Sequence, residues 1–156
     1  MPTVKFTDVT TASGITFKHH NGAYGEKLLP ETMGSGVAFL DFDNDSAPDL
    51  LFVNGTRWPW HADVNVRLPT MALFRNDGTG RFTDVTAGSG LDVDFYGMGA
   101  ACGDFDNDGL VDLFITGVGG NRLFRNLGGG KFVDVTNRAG VFNLLQLYKQ
   151  QGYYPS

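Results

Sequence analysis

The run Asp104-Phe105-Asp106-Asn107-Asp108-Gly109-Leu110-Val111-Asp112 decides how this chain folds. It places carboxylates at positions 1, 3, 5 and 9, and acids this close repel one another and are poor strand formers. A calcium ion, which takes six to eight oxygen ligands from a loop that winds around it, supplies the missing positive charge. Gly109 allows a left-handed turn inside the loop. We therefore predict that one calcium ion is bound by Asp104, Asp106, Asp108, Asp112 and the carbonyl of Leu110.

A second copy of the acidic run lies upstream at residues 41–49. Its predicted ligands are Asp41, Asp43, Asp45, the carbonyl of Ala47, and Asp49. Ser46 replaces the glycine, and a left-handed non-glycine residue costs about 1 kcal/mol, so we predict that this site is the weaker of the two. The alternative is that both runs are solvated acidic turns that bind nothing.

The flanks of the acidic runs predict β-strands rather than the helices of an EF-hand. Counting from Asp104, position 12 is Ile115, where an EF-hand requires a bidentate acid. Apolar and small residues lie on both sides of each run, and they favour strands. Each run is therefore interpreted as a calcium loop that joins two strands.

An internal repeat of about fifty residues sets the domain organisation. Phe82-Thr83-Asp84-Val85-Thr86 recurs at 132–136 and opens the chain at 6–10, and Leu73-Phe74-Arg75-Asn76 recurs at 123–126. Four strand-like runs per repeat predict an all-β fold, with β-propeller-type blades of four antiparallel strands. Within one repeat region, 1–156, the predicted units are a lone outer strand at 4–10, a blade with two insertions at 33–90, a blade at 91–141, and a non-repeat tail at 142–156.

Two blades cannot close a propeller ring, because each would leave an apolar face and an edge uncovered. The chain is therefore expected to be a fragment of a larger propeller or to complete a ring by self-association through exposed blade faces. In the tail, Val141, Leu144, Leu145 and Tyr148 have helical spacing, which favours a short terminal helix.

Composition excludes several classes of partner. The net charge is −5 and the acids cluster in the two loops, so nucleic acid and anionic membranes are not expected to bind. No apolar run is long enough to enter a bilayer. The single cysteine, Cys102, excludes an internal disulfide, and its strand of small residues predicts a core position.

The insertions contain the candidate ligand surface: Arg57, Trp58, Trp60, His61 and His19. Exposed tryptophans beside an arginine suit contact with a sugar or a protein; the equal alternative is that they cap the apolar face of the first blade. The pairs Arg75-Asn76 and Arg125-Asn126 repeat with the blade, so we expect them to be structural and either to satisfy turn backbone or to pair with Asp84 and Asp134. No nucleophile–base arrangement is evident, and we predict no enzymatic activity.

The acidic loops resemble the FG-GAP or VCBS repeats of integrin-α-like β-propellers, and the runs at 14–22, 29–41 and 96–101 are similar to the ASPIC/UnbV group. This resemblance implies a secreted or cell-surface propeller with structural calcium that presents loops to a protein or glycan in binding or adhesion. The N-terminus has no apolar signal segment, so either the protein is intracellular or, as the resemblance implies, its secretion signal lies outside this sequence. Two alternatives are an accessory or catalytic part of a polysaccharide-active enzyme and a structural fragment with calcium as its only ligand.

Overall fold

Two antiparallel sheets of four strands form the framework in a computed structural model that describes residues 3–61 and 69–141. The first sheet consists of β1 (Val37–Leu40), β2 (Asp49–Phe52), β3 (Ala72–Asn76) and β4 (Phe82–Asp84). The second consists of β5 (Gly97–Gly103), β6 (Asp112–Gly117), β7 (Arg122–Asn126) and β8 (Phe132–Asp134). In both sheets each strand pairs with the next along the chain, which confirms the predicted four-stranded, propeller-type blades.

The helical elements of the described residues are short and lie in the two insertions. Helix α1 (Leu29–Met33) starts with a proline in its first turn and ends at Gly34. A 3-10 turn covers Pro59–His61. No helix of the described residues is long and apolar enough to cross a membrane.

The main core lies between the two sheets. Leu51 and Leu73 from the first blade and Leu113, Ile115 and Phe124 from the second are fully buried in one cluster. The residues that alternate with Leu51 and Leu73 face the other side of the first sheet, as period-2 patterning requires, and there Leu50, Ala72 and Phe74 form a second buried cluster. Blade-on-blade packing therefore stabilises both sheets.

Gly99 in the first half of β5 allows a close backbone approach between the two blades. A Cβ at Gly36, just before β1, would lie 2.9 Å from the Gly99 Cα, so the first strands of the two blades meet almost backbone to backbone. Only the beginning of β5 is covered, and its last three residues are exposed. The predicted core position of Cys102 is therefore wrong: the thiol is free and exposed.

The opening segment binds the first blade in the same way as the connection between the two repeats binds the second blade. The Phe82 N–H donates to Ser13 O at 2.7 Å, and the Phe132 N–H donates to Ser89 O at 2.7 Å. Residues 4–10 form no strand and pair with no strand of the described chain. Their assignment as a lone outer strand that would complete a blade stays a prediction, since such a strand forms only when it pairs with another. The helix proposed for the tail lies outside the described residues.

Candidate metal centre

The first aspartate of each acidic loop closes the turn on itself. The Asp41 carboxylate accepts the backbone N–H groups of Asp45 at 3.0 Å and Ser46 at 2.9 Å. In the second loop the Asp104 carboxylate accepts those of Asp108 at 3.1 Å and Gly109 at 2.8 Å. Because both loops use the same bonds, the acid spacing encodes one loop conformation.

That conformation contains left-handed residues at matching positions. Asn44 and Asn107 have φ of 58° and 60°, and Ser46 and Gly109 have φ of 69° and 85°. Asparagine tolerates this left-handed region of φ, whereas serine adopts it only at a cost in conformational free energy. The expected strain at Ser46 is therefore present in the backbone.

The last aspartate of each loop is a buried acceptor. Asp49 accepts the N–H groups of Phe42 at 3.1 Å and Asn76 at 2.8 Å, and Asp112 accepts the N–H groups of its own loop and hairpin in the same way. Burial raises the pKa of Asp49, while the donated N–H groups of Asn76 and Phe42 act in the opposite direction. Each of these carboxylates fastens the acidic loop to the β3–β4 or β7–β8 hairpin.

An arginine bridges two acids in each loop. Arg75 Nε lies 2.6 Å from Asp43 Oδ2, and its Nη2 lies 2.8 Å from Asp45 Oδ2. Arg125 makes the same bridge to Asp106 and Asp108. These contacts raise the pKa of both guanidinium groups, with the Asp45 hydrogen bond the largest cause for Arg75 and the Asp106 hydrogen bond for Arg125.

The predicted pairing of the two arginines with Asp84 and Asp134 is therefore wrong. Arg75 and Arg125 lie opposite Thr83 and Val133, one residue away in register, and successive residues of a strand face opposite sides of the sheet. Asp134 pairs instead with Arg122 at 2.9 Å. The arginine lies 32 residues after its acid in the first blade and 19 residues after it in the second, so spacing along the chain did not predict this pairing. The predicted role of satisfying turn backbone is confirmed for the asparagines of the two pairs, because Asn76 and Asn126 bond to backbone groups of the turns.

Two groups of carboxylates come close enough to share an ion. Oxygens of Asp41, Asp43 and Asp49 lie within 4.8 Å of one another, and so do oxygens of Asp104, Asp106 and Asp108. Asp43 Oδ1 is buried and has no hydrogen-bond partner in the described residues, although Oδ2 of the same carboxylate is held by Arg75. An orphaned anionic oxygen beside two other carboxylates fits a hard cation such as calcium.

The full predicted ligand sets are only partly gathered in these groups. Asp45 lies outside the first group. Its carboxylate accepts hydrogen bonds from Arg75 and from the Ala47 N–H, and the Ala47 bond is the largest cause of the lowered pKa of Asp45. Asp112 lies outside the second group. The carbonyls of Ala47 and Leu110 stay predicted ligands.

The candidate ligand surface divides into a buried and an exposed part. Trp58 is only 8% exposed, so of the two alternatives the exposed contact does not apply to this residue, and its indole Nε1 donates to Glu31 Oε1 at 2.9 Å. Trp60 is 60% exposed and shares Glu26 with His61. The structure thus joins Trp58, Trp60 and His61 in one aromatic cluster.

The histidines of the other insertion have contacts of their own. His19 Nε2 lies 3.1 Å from Ser35 Oγ, away from the aromatic contacts of the cluster. His20 Nδ1 accepts the Gly22 N–H at 3.0 Å, which requires an unprotonated nitrogen. Burial, followed by the charges of Arg57 and His19, lowers the pKa of His20. A neutral, hydrogen-bonded His20 serves to fix its loop.

Comparison with protein families identifies the repeat. The model of the FG-GAP-like repeat matches residues 41–115 and 104–145, which together cover more than half of the chain. Each match begins at the first aspartate of an acidic loop. No curated protein was found to match the chain.

Proposed function

The chain belongs to the FG-GAP-like repeat family, and from that premise we propose that it is a calcium-binding β-propeller-repeat module that binds a protein or a glycan. Calcium has a structural role in this proposal. It neutralises the acidic loops and fixes the turn between the first two strands of each blade.

The buried, unpartnered Asp43 Oδ1 carries the proposal. Leaving an anionic oxygen buried and unpaired costs at least 1–3 kcal/mol, and a bound cation removes that cost. Arg75 cannot do so, because it holds the other oxygen of the same carboxylate. Asp41, Asp43 and Asp49 would hold the ion in the first loop, and Asp104, Asp106 and Asp108 in the second, with the remaining predicted ligands completing each set.

A thermal melt with calcium and with a chelator tests the structural role. At a calcium concentration of about 100 Kd we expect about 2.7 kcal/mol of stabilisation per site, which raises Tm by about 5–10 °C. The double variant Asp41→Ala/Asp104→Ala is the matched control and should lose the shift, and magnesium should give a smaller one because it demands octahedral geometry. An identical Tm in calcium and in chelator would contradict the proposal.

We further propose an extracellular or cell-surface location, a role in adhesion and no catalytic activity. Extracellular calcium modules work with Kd values of about 10⁻⁴–10⁻³ M, which suits solvent-exposed loops such as residues 104–110. A hydrolysis assay on a panel of glycans separates this proposal from that of a polysaccharide-active enzyme. Measurable turnover would favour the enzyme.

A further inference from the structure

A cavity of about 1100 Å³ opens at the end of the blades opposite the acidic loops. Its walls come from the β2–β3 and β6–β7 connections, the approach to β5 and the segment that follows β8. Because the strands are antiparallel, these connections cannot lie at the end that carries the β1–β2 and β5–β6 acidic loops. The volume is that of a site for a ligand of several rings.

A rigid aromatic platform forms one wall of the cavity. One face of Trp60 stacks on Trp58, with ring centroids 5.2 Å apart and planes 10° apart, and Trp58 packs in turn on Tyr96 at 4.8 Å. Trp60 Nε1 donates to Glu26 at 3.0 Å, and the indole is still 60% exposed. The ring is therefore held in place while a large part of its surface stays open, and such preorganisation lowers the entropic cost of binding.

The cavity is positively charged, in contrast with the chain as a whole. Three arginines and two aspartates line it, although the net charge of the chain is −5. The charged residues are Arg57, Arg122, Arg138, Asp94 and Asp134. Arg122 is already paired with Asp134 and lies 5.0 Å over the Phe95 ring. Within residues 3–61 and 69–141, Arg57 and Arg138 form no ion pair, and a guanidinium fork matches a carboxylate.

Two polar atoms in the wall have no partner. Thr56 Oγ1 and Arg57 Nε are buried and make no hydrogen bond within the described residues, and Thr56 is only 7% exposed. Buried donors without acceptors are rare and require an explanation. Both residues line the cavity, so each donor lies beside the space that a ligand would occupy.

We propose that this cavity binds an acidic oligosaccharide, with a sugar ring stacked on Trp60 and a sugar carboxylate held by Arg57 and Arg138. The apolar face of a pyranose ring covers an indole, while the ring hydroxyls pair with the polar side chains of the cavity. This proposal rests on the proposed binding function and names its ligand class. It is independent of the calcium loops at the opposite end.

Isothermal titration of the full chain with three probes tests the site. The probes are a galacturonic acid trisaccharide, a neutral glucose trisaccharide and a triglutamate peptide. We expect binding of the acidic saccharide, and a loss of about tenfold in affinity for Trp60→Ala and for Arg138→Gln. Trp60→Phe should restore part of the loss. Phe6→Ala, at an aromatic residue that is 92% exposed and not part of the cavity, is the matched control and should bind normally.

Three outcomes with the unaltered chain would overturn the proposal. They are no heat with the acidic trisaccharide at millimolar concentration, equal affinity for the neutral trisaccharide, and tighter binding of the peptide. A fourth contrary outcome is unchanged affinity in Trp60→Ala, which would mean that the saccharide binds elsewhere on the chain. A calcium-dependent Tm measured on the same samples separates these failures from failure of the calcium module.

Discussion

The first acidic loop is covered by the second blade, whereas the equivalent loop of the second blade faces solvent. Phe42 and Phe105 hold the same position in the two loops, yet Phe42 is 2% exposed and Phe105 is 48% exposed. The Phe42 ring packs against Phe132 of the second blade, with centroids 6.4 Å apart. The difference arises from the neighbour and not from the loop itself.

Hydrogen bonds between the blades reinforce this contrast. Asn126 Nδ2 donates to Phe42 O at 2.9 Å and also to Val111 O in its own blade at 3.0 Å. Asn44 Nδ2 donates to Gly109 O at 3.0 Å and so joins the two acidic loops directly. A repeated motif thus has two roles: it closes its own blade, and it fastens the loop of the preceding blade.

The largest expected difference between the loops is in the free energy of unfolding that is lost in Phe42→Ala and in Phe105→Ala. Phe42→Ala should lower the free energy of unfolding by about 3–5 kcal/mol, because it empties a site in the inter-blade core. Phe105→Ala should lower it by about 1 kcal/mol or less, because half of that ring is already in water. Urea denaturation measures both values, and similar losses would show that the two loops are equally covered.

A smaller difference is expected for Asp49→Ala and Asp112→Ala. Each variant leaves two backbone N–H groups without their acceptor and should cost about 2–4 kcal/mol. Asp49→Ala should cost about 1 kcal/mol more, because water reaches the Phe105 N–H more readily than the Phe42 N–H. Denaturation in the presence of a chelator isolates this effect from metal binding. A larger loss for Asp112→Ala would reverse the comparison.

The smallest difference concerns the left-handed residue of each loop. Ser46→Gly should stabilise the chain by about 1 kcal/mol and strengthen calcium binding at the first loop, and Gly109→Ser should do the opposite at the second. Calcium titration of Asp104→Ala and Asp41→Ala, each with one intact loop, gives the starting affinities. Equal calcium affinities in these two variants would contradict the prediction that the first loop binds calcium more weakly than the second.

Much of the blade was predictable because its signals are local. The four strands predicted for each repeat agree with the structure, since turn residues and period-2 patterning mark strand ends directly. The position of Cys102 was not predictable, because the same small residues suit a core strand and a close approach of two backbones. The burial of Trp58 was not predictable for a related reason: it depends on contacts with Glu31 and Tyr96, which are distant in sequence.

The sequence alone determined the four-stranded repeat, the conformation of the acidic loops and the left-handed strain at Ser46. All three depend on residues within a few positions of one another, so spacing encodes them. Only the tertiary structure decided which loop is covered, which acids Arg75 and Arg125 bridge, and which aromatic and charged residues meet around the cavity. Those relations join residues that are distant along the chain, and they follow from the packing of one blade on the next.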